Sequence, residues 1–427
     1  MQFRNRIALV SCGALALAGG TTAWHLVGFA GAQAVAPCDT ATTPFCNSTV
    51  PLPATWPGRR FTLAQNYPAT SPTDATPWTA FDPVSQPQQY VEAVLAYFYE
   101  GNIRPDMEAS FDPALNTVRG WYNAPWQDMG TNGREPAHGL TRERTSQPRE
   151  LAPTQTQFWN NYAIGFYNAP GATAIGKMWA DHGKPDPTKA SNMPEGTVAA
   201  KLLFTTADDT EVRYLKGAPS WNAYVYKDVH NRFPKPTDAR DKVAVRLLQI
   251  DIAVKDKRAP LGWVFGTFVY GGGPGGKPGS GWSNVAPVGL MWGNDPTYSG
   301  TGPLKESWIN PAVSMPHLGY QGRLNGPVDN KISSCLSCHS TAESPEGQMT
   351  PPDTVDPAPW FRNIPSGTAF DAGRVPFDYS LQLSVGLGFF RNAQDIKNTR
   401  DPAKRRLLMK RIEALDERPP RDGGRTR

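Results

Sequence analysis

The chain has 427 residues, with 43 Lys and Arg against 38 Asp and Glu, a formal net charge of +5. Nine of the basic and five of the acidic residues fall between Asp401 and Arg427, so the rest is close to neutral and no basic nucleic-acid surface is expected. Forty Gly and 42 Pro imply many loops, while 13 Trp, 14 Tyr and 18 Phe supply enough apolar bulk to exclude a disordered chain.

In chain order, Arg4 and Arg6 precede an apolar stretch from Ile7 to Ala30, and Ala32-Gln33-Ala34 is a small-x-small site. Basic, apolar and small segments in that order read as a secretory signal peptide over residues 1–34, cleaved after Ala34, with export to the periplasm as the consequence. An uncleaved N-terminal membrane anchor is the alternative, because the stretch is long enough to span a bilayer. Cys12 falls within this segment. Cys38 and Cys46 bracket a short Thr/Pro-rich loop and are expected to form a disulfide in an oxidising compartment.

Residues 35–190 read as an aromatic, loop-rich N-terminal region with one helix. Ser85 as N-cap and Gln88 three residues on form a capping box, Tyr90, Val91, Val94, Leu95 and Phe98 share one face, and Gly101 ends the helix. The block from Trp121 to Glu150 carries Arg134, His138, Arg142 and Arg144. Its arginines suit bidentate contacts to carboxylates, and His138 suits a metal ligand or an acid–base group. The competing reading is a loop stitched by Arg–Glu pairs.

Residues 191–345 read as an antiparallel β-domain. Val198, Ala200, Leu202 and Phe204 alternate with Ala199, Lys201 and Leu203. Val243, Val245 and Leu247 share one parity and Leu248, Ile250, Ile252 and Val254 the other, so a β-bulge near Leu247-Leu248, or a strand passing between two sheets, is expected. Trp263 to Tyr270 and Val285 to Trp292 complete four strands. The glycine-rich turn between those two lacks a Gly-Lys-Ser/Thr ending and sits between strands, which argues against phosphate binding. Residues 346–427 read as a Pro-rich extension and a basic C-terminal helix, with Asp401 as N-cap, Pro402 at N1, and Leu408, Ile412 and Leu415 on one face. The expected fold class is therefore α+β, rich in strands and loops and poor in helices.

The strongest local signal is Cys335-Leu336-Ser337-Cys338-His339. Two thiols two residues apart, followed directly by an imidazole, suit covalent capture of one haem, each thiol adding to a vinyl group and His339 serving as proximal iron ligand. A thioredoxin-like redox pair, half of a zinc site and a structural disulfide are the rivals.

This motif makes the chain similar to monohaem c-type cytochromes, which implies haem c bound through Cys335 and Cys338 with His339 on the iron. A weaker, pattern-level resemblance is carried by Pro194-Glu195-Gly196-Thr197-Val198, Lys201, Gly262-Trp263-Val264-Phe265-Gly266 and the motif after them. It is similar to the cytochrome P460 and cytochrome c′-β group, β-sheet proteins with the haem motif near the C-terminal end. That resemblance implies Lys201 as the candidate for a lysine cross-link to the haem. The large N-terminal region and the long C-terminal extension depart from the group.

For the sixth iron position the candidates are His317, Met315 and Met349, with Met409 a further methionine in the last helix. Two functions follow. One is exported electron transfer to a redox partner protein, at the membrane periphery or free of it, with the basic tail read as a solvated terminal helix or, alternatively, as a docking surface for an acidic partner. The other is a haem redox enzyme or gas-ligand-binding protein, with an open distal site built partly by the N-terminal region.

Overall fold

The computed structural model describes residues 45, 47–127, 133–273, 279, 281–315, 317–351 and 355–408. The signal-peptide reading, the Cys38–Cys46 pairing, Met409, Ile412 and Leu415 lie outside the described residues.

Nine strands form one sheet: β1 (Trp121–Tyr122), β2 (Thr141–Ser146), β3 (Trp159–Asn168), β4 (Val198–Thr205), β5 (Ser220–Tyr226), β6 (Arg240–Lys255), β7 (Trp263–Tyr270), β8 (Val285–Met291) and β9 (Ser307–Ile309). The order is β1-β3-β4-β6-β7-β8-β9, with β2 also on β3 and β5 also on β6, and every pairing is antiparallel. The fold is thus the expected β-rich α+β class. No helix among the described residues is long and apolar enough to cross a membrane.

The face switch in β6 is a bulge. Leu203 pairs with Gln249 but Phe204 pairs with Leu247, so Leu248 is the extra residue. A one-residue insertion moves every following side chain to the other face, which is why the apolar parity changes there. Beyond the bulge the register sorts residues cleanly. Ile164 and Phe166, Ala200 and Leu202, Ile250 and Ile252, and Val264 and Gly266 share one face. Gly165 and Tyr167, Ala199 and Lys201, Asp251 and Ala253, and Phe265 and Thr267 share the other.

Helix α1 (Pro87–Tyr99) lies on the first face. Its apolar stripe of Tyr90, Val91, Val94 and Phe98 is fully buried. Gly266 is what lets it approach: a Cβ there would stand 2.6 Å from Val91 Cγ2 and 3.1 Å from Ile252 Cγ1. Gly266→Ala should therefore destabilise the protein by about 1–3 kcal/mol through overpacking, read as a lower urea midpoint at unchanged slope. The helix start differs from expectation by one residue. Gln86 is the N-cap and makes no side-chain cap, while the Ser85 hydroxyl donates to Asp82 Oδ1 at 3.0 Å. Asp82 also accepts the backbone N–H groups of Val84 and Ser85, so an Asp-centred turn outcompetes the capping box.

Strands β1, β2 and β3 and two helices fall where loops were expected. Strand β3 is buried along its whole length, so the polar alternation that marks a half-buried strand is missing. Its asparagines are put to use: Asn168 caps α2 (Ala169–Met178), its Oδ1 also accepting the N–H of Val198 at 2.9 Å. Helix α4 (Leu381–Asn398) was hidden by glycine, yet at Gly386 a Cβ would meet the Pro125 carbonyl at 2.7 Å, so close backbone packing requires that residue. Residues 402–408 are helical as expected, with Asp401 Oδ1 accepting from the Ala403 N–H at 2.8 Å.

Candidate functional site

The Cys-x-x-Cys-His run forms a single helical turn, α3 (Cys335–His339). Its start is fixed by two serines: Ser334 Oγ accepts the Ser337 N–H at 3.1 Å and Ser337 Oγ accepts the Ser334 N–H at 2.8 Å, a reciprocal cap. The two cysteines stand three residues apart on one side of the turn. Both are half-buried free thiols, and Cys335 Sγ lies 3.7 Å from the Thr267 hydroxyl.

His339 is held by its far nitrogen. Nδ1 lies 2.8 Å from the Tyr379 carbonyl oxygen. A carbonyl only accepts, so Nδ1 carries the hydrogen and Nε2 keeps the lone pair, the arrangement of a metal-binding imidazole. Burial pulls His339 down to about 4, which leaves the ring neutral at physiological pH.

The Tyr379 carbonyl is placed by an unusual turn. Asp378 and Tyr379 have φ of 45° and 71°, two consecutive non-glycine residues in the left-handed region. A buried carboxylate holds them. Asp378 Oδ2 accepts Lys255 Nζ at 2.6 Å and the Met193 N–H at 2.7 Å. Its Oδ1 accepts Trp263 Nε1 at 3.0 Å, the Ser366 hydroxyl at 2.8 Å and the Gly367 N–H at 2.9 Å. Next in sequence, Ser380 caps α4 through the Leu383 N–H at 3.3 Å and bonds the Tyr167 hydroxyl at 2.7 Å.

Cys335, Cys338 and His339 line a cavity of about 250 Å³ together with the second face of the sheet. Register lays that face out in two rows. One row runs Gly165–Lys201–Asp251–Thr267 and the other Tyr167–Ala199–Ala253–Phe265. The small residues keep the floor open, and the Phe265 ring lies 4.8 Å from the His339 ring.

The first row is charged. Lys201 Nζ stands 3.0 Å from Asp251 Oδ2, and Asp251 Oδ1 accepts the Thr267 hydroxyl at 2.9 Å. Gln249 Nε2 donates to both Asp251 oxygens at 2.7 Å and reaches Asp329 Oδ2 at 3.3 Å. Asp329 Oδ2 also accepts the Gly326 N–H at 2.7 Å. Burial alone would depress the Lys201 ammonium, but Asp251, Asp329 and Glu143 around it hold it above its ordinary value. Burial pushes both Asp251 and Glu143 up, against the pull of Lys201. Desolvation, aided by the charge of Asp329, raises Cys338 to about 11. It raises Cys335 as well, with Asp329 and Asp251 adding to the effect.

A redox dithiol needs a lowered thiol pKa, whereas both thiols here are raised. Among the described residues no group of three or more His, Cys, Asp or Glu is arranged to hold a metal ion, so the complement of a four-ligand zinc site is lacking there. Two neutral thiols beside a neutral, oriented imidazole fit the thioether-plus-imidazole set of haem c.

The candidates for the sixth iron position are not brought to this cavity. His317 Nε2 lies 3.6 Å from Glu150 Oε1, Met315 packs at the edge of the core, and Met349 is 37% exposed; none of the three lines the cavity. The arginines of the 121–150 block hold the chain to itself. Arg134 donates to the Gly139 and Ala124 carbonyls, and Arg144 to the Val328 carbonyl and the Glu150 carboxylate.

His138 is fully buried on the opposite face of the sheet, stacked 4.9 Å from Trp221, which in turn packs against Phe204. Burial pulls it down to about 3. Above pH 6.5 the imidazole is neutral folded or unfolded, and between 6.5 and about 3 only the unfolded chain binds the proton. Its contribution is therefore lost as pH falls. Lowering the pH from 7.5 to 5.0 should cost about 2 kcal/mol through this residue. Urea titrations at both pH values should show the wild type losing that much more than His138→Phe.

Asp251, Asp329, Thr267 and the Asp378–Tyr379 turn were not singled out from the sequence. Asp251 carried a usable signal, a lone acid on the parity opposite Ile250 and Ile252 in a β-branched run. The turn carried none. No protein-family model, curated protein or solved structure matches the chain.

Proposed function

We propose that the protein is a monohaem c-type redox protein whose haem accepts an external ligand or substrate. Cys335 and Cys338 would hold haem c as thioethers, and His339 Nε2 would bind its iron. The observation that carries this reading is the 2.8 Å contact of His339 Nδ1 with the Tyr379 carbonyl, which leaves Nε2 free on a turn that also aims two free thiols into one cavity. The bound group would supply one-electron chemistry and a site for a sixth ligand.

The protein's own residues do the rest. Tyr379 fixes the tautomer and orientation of His339. Tyr167, Ala199 and Phe265 form an apolar floor that keeps water low, and Lys201 with Asp251 supplies a charged wall to orient a polar guest. That lining holds no methionine and no second histidine among the described residues. It therefore favours a haem redox enzyme or gas-binding protein over a closed electron carrier. Export through residues 1–34 fits this reading, because covalent haem attachment in bacteria is completed outside the cytoplasm, and a redox partner protein would exchange the electron.

The test is optical. Protein purified from cells competent for haem c maturation should give a pyridine haemochrome of one haem per chain, still attached after denaturation. Its reduced spectrum should shift on carbon monoxide. A reduced low-spin spectrum unmoved by carbon monoxide would return the protein to the carrier class, and a chain without covalent haem would refute the reading altogether.

A further inference from the structure

We infer that the Asp251–Asp329 pair at the cavity wall binds a proton whenever the motif-bound haem is reduced. This rests on the haem reading above and extends it to the residues that balance the charge.

Three carboxylates, Glu143 from β2, Asp251 from β6 and Asp329 from the loop before α3, surround the single ammonium of Lys201 from β4. With all of them ionised the group carries a net −2. It is enclosed by the sheet on one side and by the motif turn on the other, with the Thr267 hydroxyl of β7 on Asp251. Cys335, Cys338 and His339 face it from α3. Of the two tyrosines on the same cavity, Tyr167 is bonded to Ser380 and Tyr379 to the Ile364 carbonyl.

Gln249 supplies a second, independent observation. It is fully buried, and its Nε2 has two hydrogens for three carboxylate oxygens of Asp251 and Asp329. Its own Oε1 is buried with no donor among the described residues. A protonated carboxyl has the hydroxyl that this amide oxygen lacks, while an ionised carboxylate has none. With both carboxylates ionised the bridge is thus one donor short, so the pair is poised to take a proton once negative charge is added at the motif.

The pair also feels charge at the motif: the Thr267 hydroxyl that Asp251 Oδ1 accepts at 2.9 Å lies 3.7 Å from Cys335 Sγ, and both carboxylates add to the effect of burial in raising that thiol. One negative charge added beside the turn strengthens proton binding at the pair by the same interaction. For each electron that an external one-electron donor passes to the haem, one carboxylate takes one proton from water. An O–H bond forms at the carboxyl, no protein bond breaks, and the charge of the site is unchanged.

The experiment is a titration of the midpoint potential of the haem-loaded full chain from pH 5.5 to 8.5, with haem content measured on the same sample. One proton per electron gives a fall approaching about 59 mV for each tenfold drop in proton activity. The slope should flatten in Asp329→Asn and in Asp251→Asn. Redox-difference infrared spectra of the wild type, which need no variant, should show a protonated-carboxyl band in the reduced state only. A flat potential in haem-loaded wild type, or no such band, overturns the proposal and leaves the haem reading standing. A slope that survives in both variants also overturns it, by assigning the proton elsewhere. Absence of covalent haem overturns the haem reading and this inference with it.

Discussion

Asp378→Ala should lower the unfolding free energy by about 3–5 kcal/mol, a large share of the roughly 5–15 kcal/mol that folded proteins possess. The carboxylate is fully buried and accepts five hydrogen bonds from five different residues. Removing it leaves the Lys255 ammonium buried with Asn192 and Ser366 as its hydrogen-bond partners among the described residues and the Trp263 ring 5.6 Å away, and an uncompensated buried charge costs more than the pair itself contributes. It also releases two residues whose left-handed backbone is favourable only while their surroundings insist on it. The loss should appear in guanidinium titrations as a lower midpoint at unchanged slope. A second signature separates the role of the turn from general stability. Because the Tyr379 carbonyl then no longer anchors Nδ1, the His339 ring resonance should broaden in the variant while remote rings such as His138 stay sharp. A loss under about 1 kcal/mol with a sharp His339 would mean that Tyr167–Ser380 and α4 hold the turn without Asp378.

The parts of this protein legible in its sequence are those that obey a short-range rule. Strands β4, β6, β7 and β8 were readable because one face is buried and side chains alternate, and the β6 bulge because an insertion reverses the parity at Leu247-Leu248. The motif turn was readable because its chemistry lies within five residues. Strand β3 was not, since a strand buried on both faces carries no alternation and its asparagines suggested turns. The cavity wall required three facts that no local pattern contains. Lys201 meets Asp251 only through the β4–β6 register, Asp329 arrives on a loop 78 residues after Asp251, and Tyr379 reaches back 40 residues to His339. His317, Met315 and Met349 were singled out by ligand type and closeness in sequence to the motif, yet chain proximity does not fix direction. His317 turns to Glu150 instead.

The second large effect concerns the thiols. A Cys335→Ser, Cys338→Ser chain should carry no haem that survives denaturation, whereas each single variant should keep one thioether and a spectrum shifted by the vinyl group left free. The apoprotein should hardly notice the change. Neither thiol is in a disulfide, the contact of Cys335 with Thr267 at 3.7 Å is weak, and the turn is capped by Ser334 and Ser337 rather than by sulfur. Serine is close in size and leaves the caps untouched, so the unfolding midpoint of the haem-free double variant should match that of haem-free wild type within about 1 kcal/mol. The contrast is what makes the result informative. A staple needed for folding would lower stability and haem content together, while a cofactor site would lose haem alone. Lys201 provides the internal control, because it lines the same cavity with its ammonium against Asp251. If the double variant still retained haem after denaturation, the attachment would lie at another residue such as Lys201, and Lys201→Met in that background should then abolish it. If haem is lost in the double variant and kept in Lys201→Met alone, the two thiols are the attachment and the lysine belongs to the electrostatics of the wall.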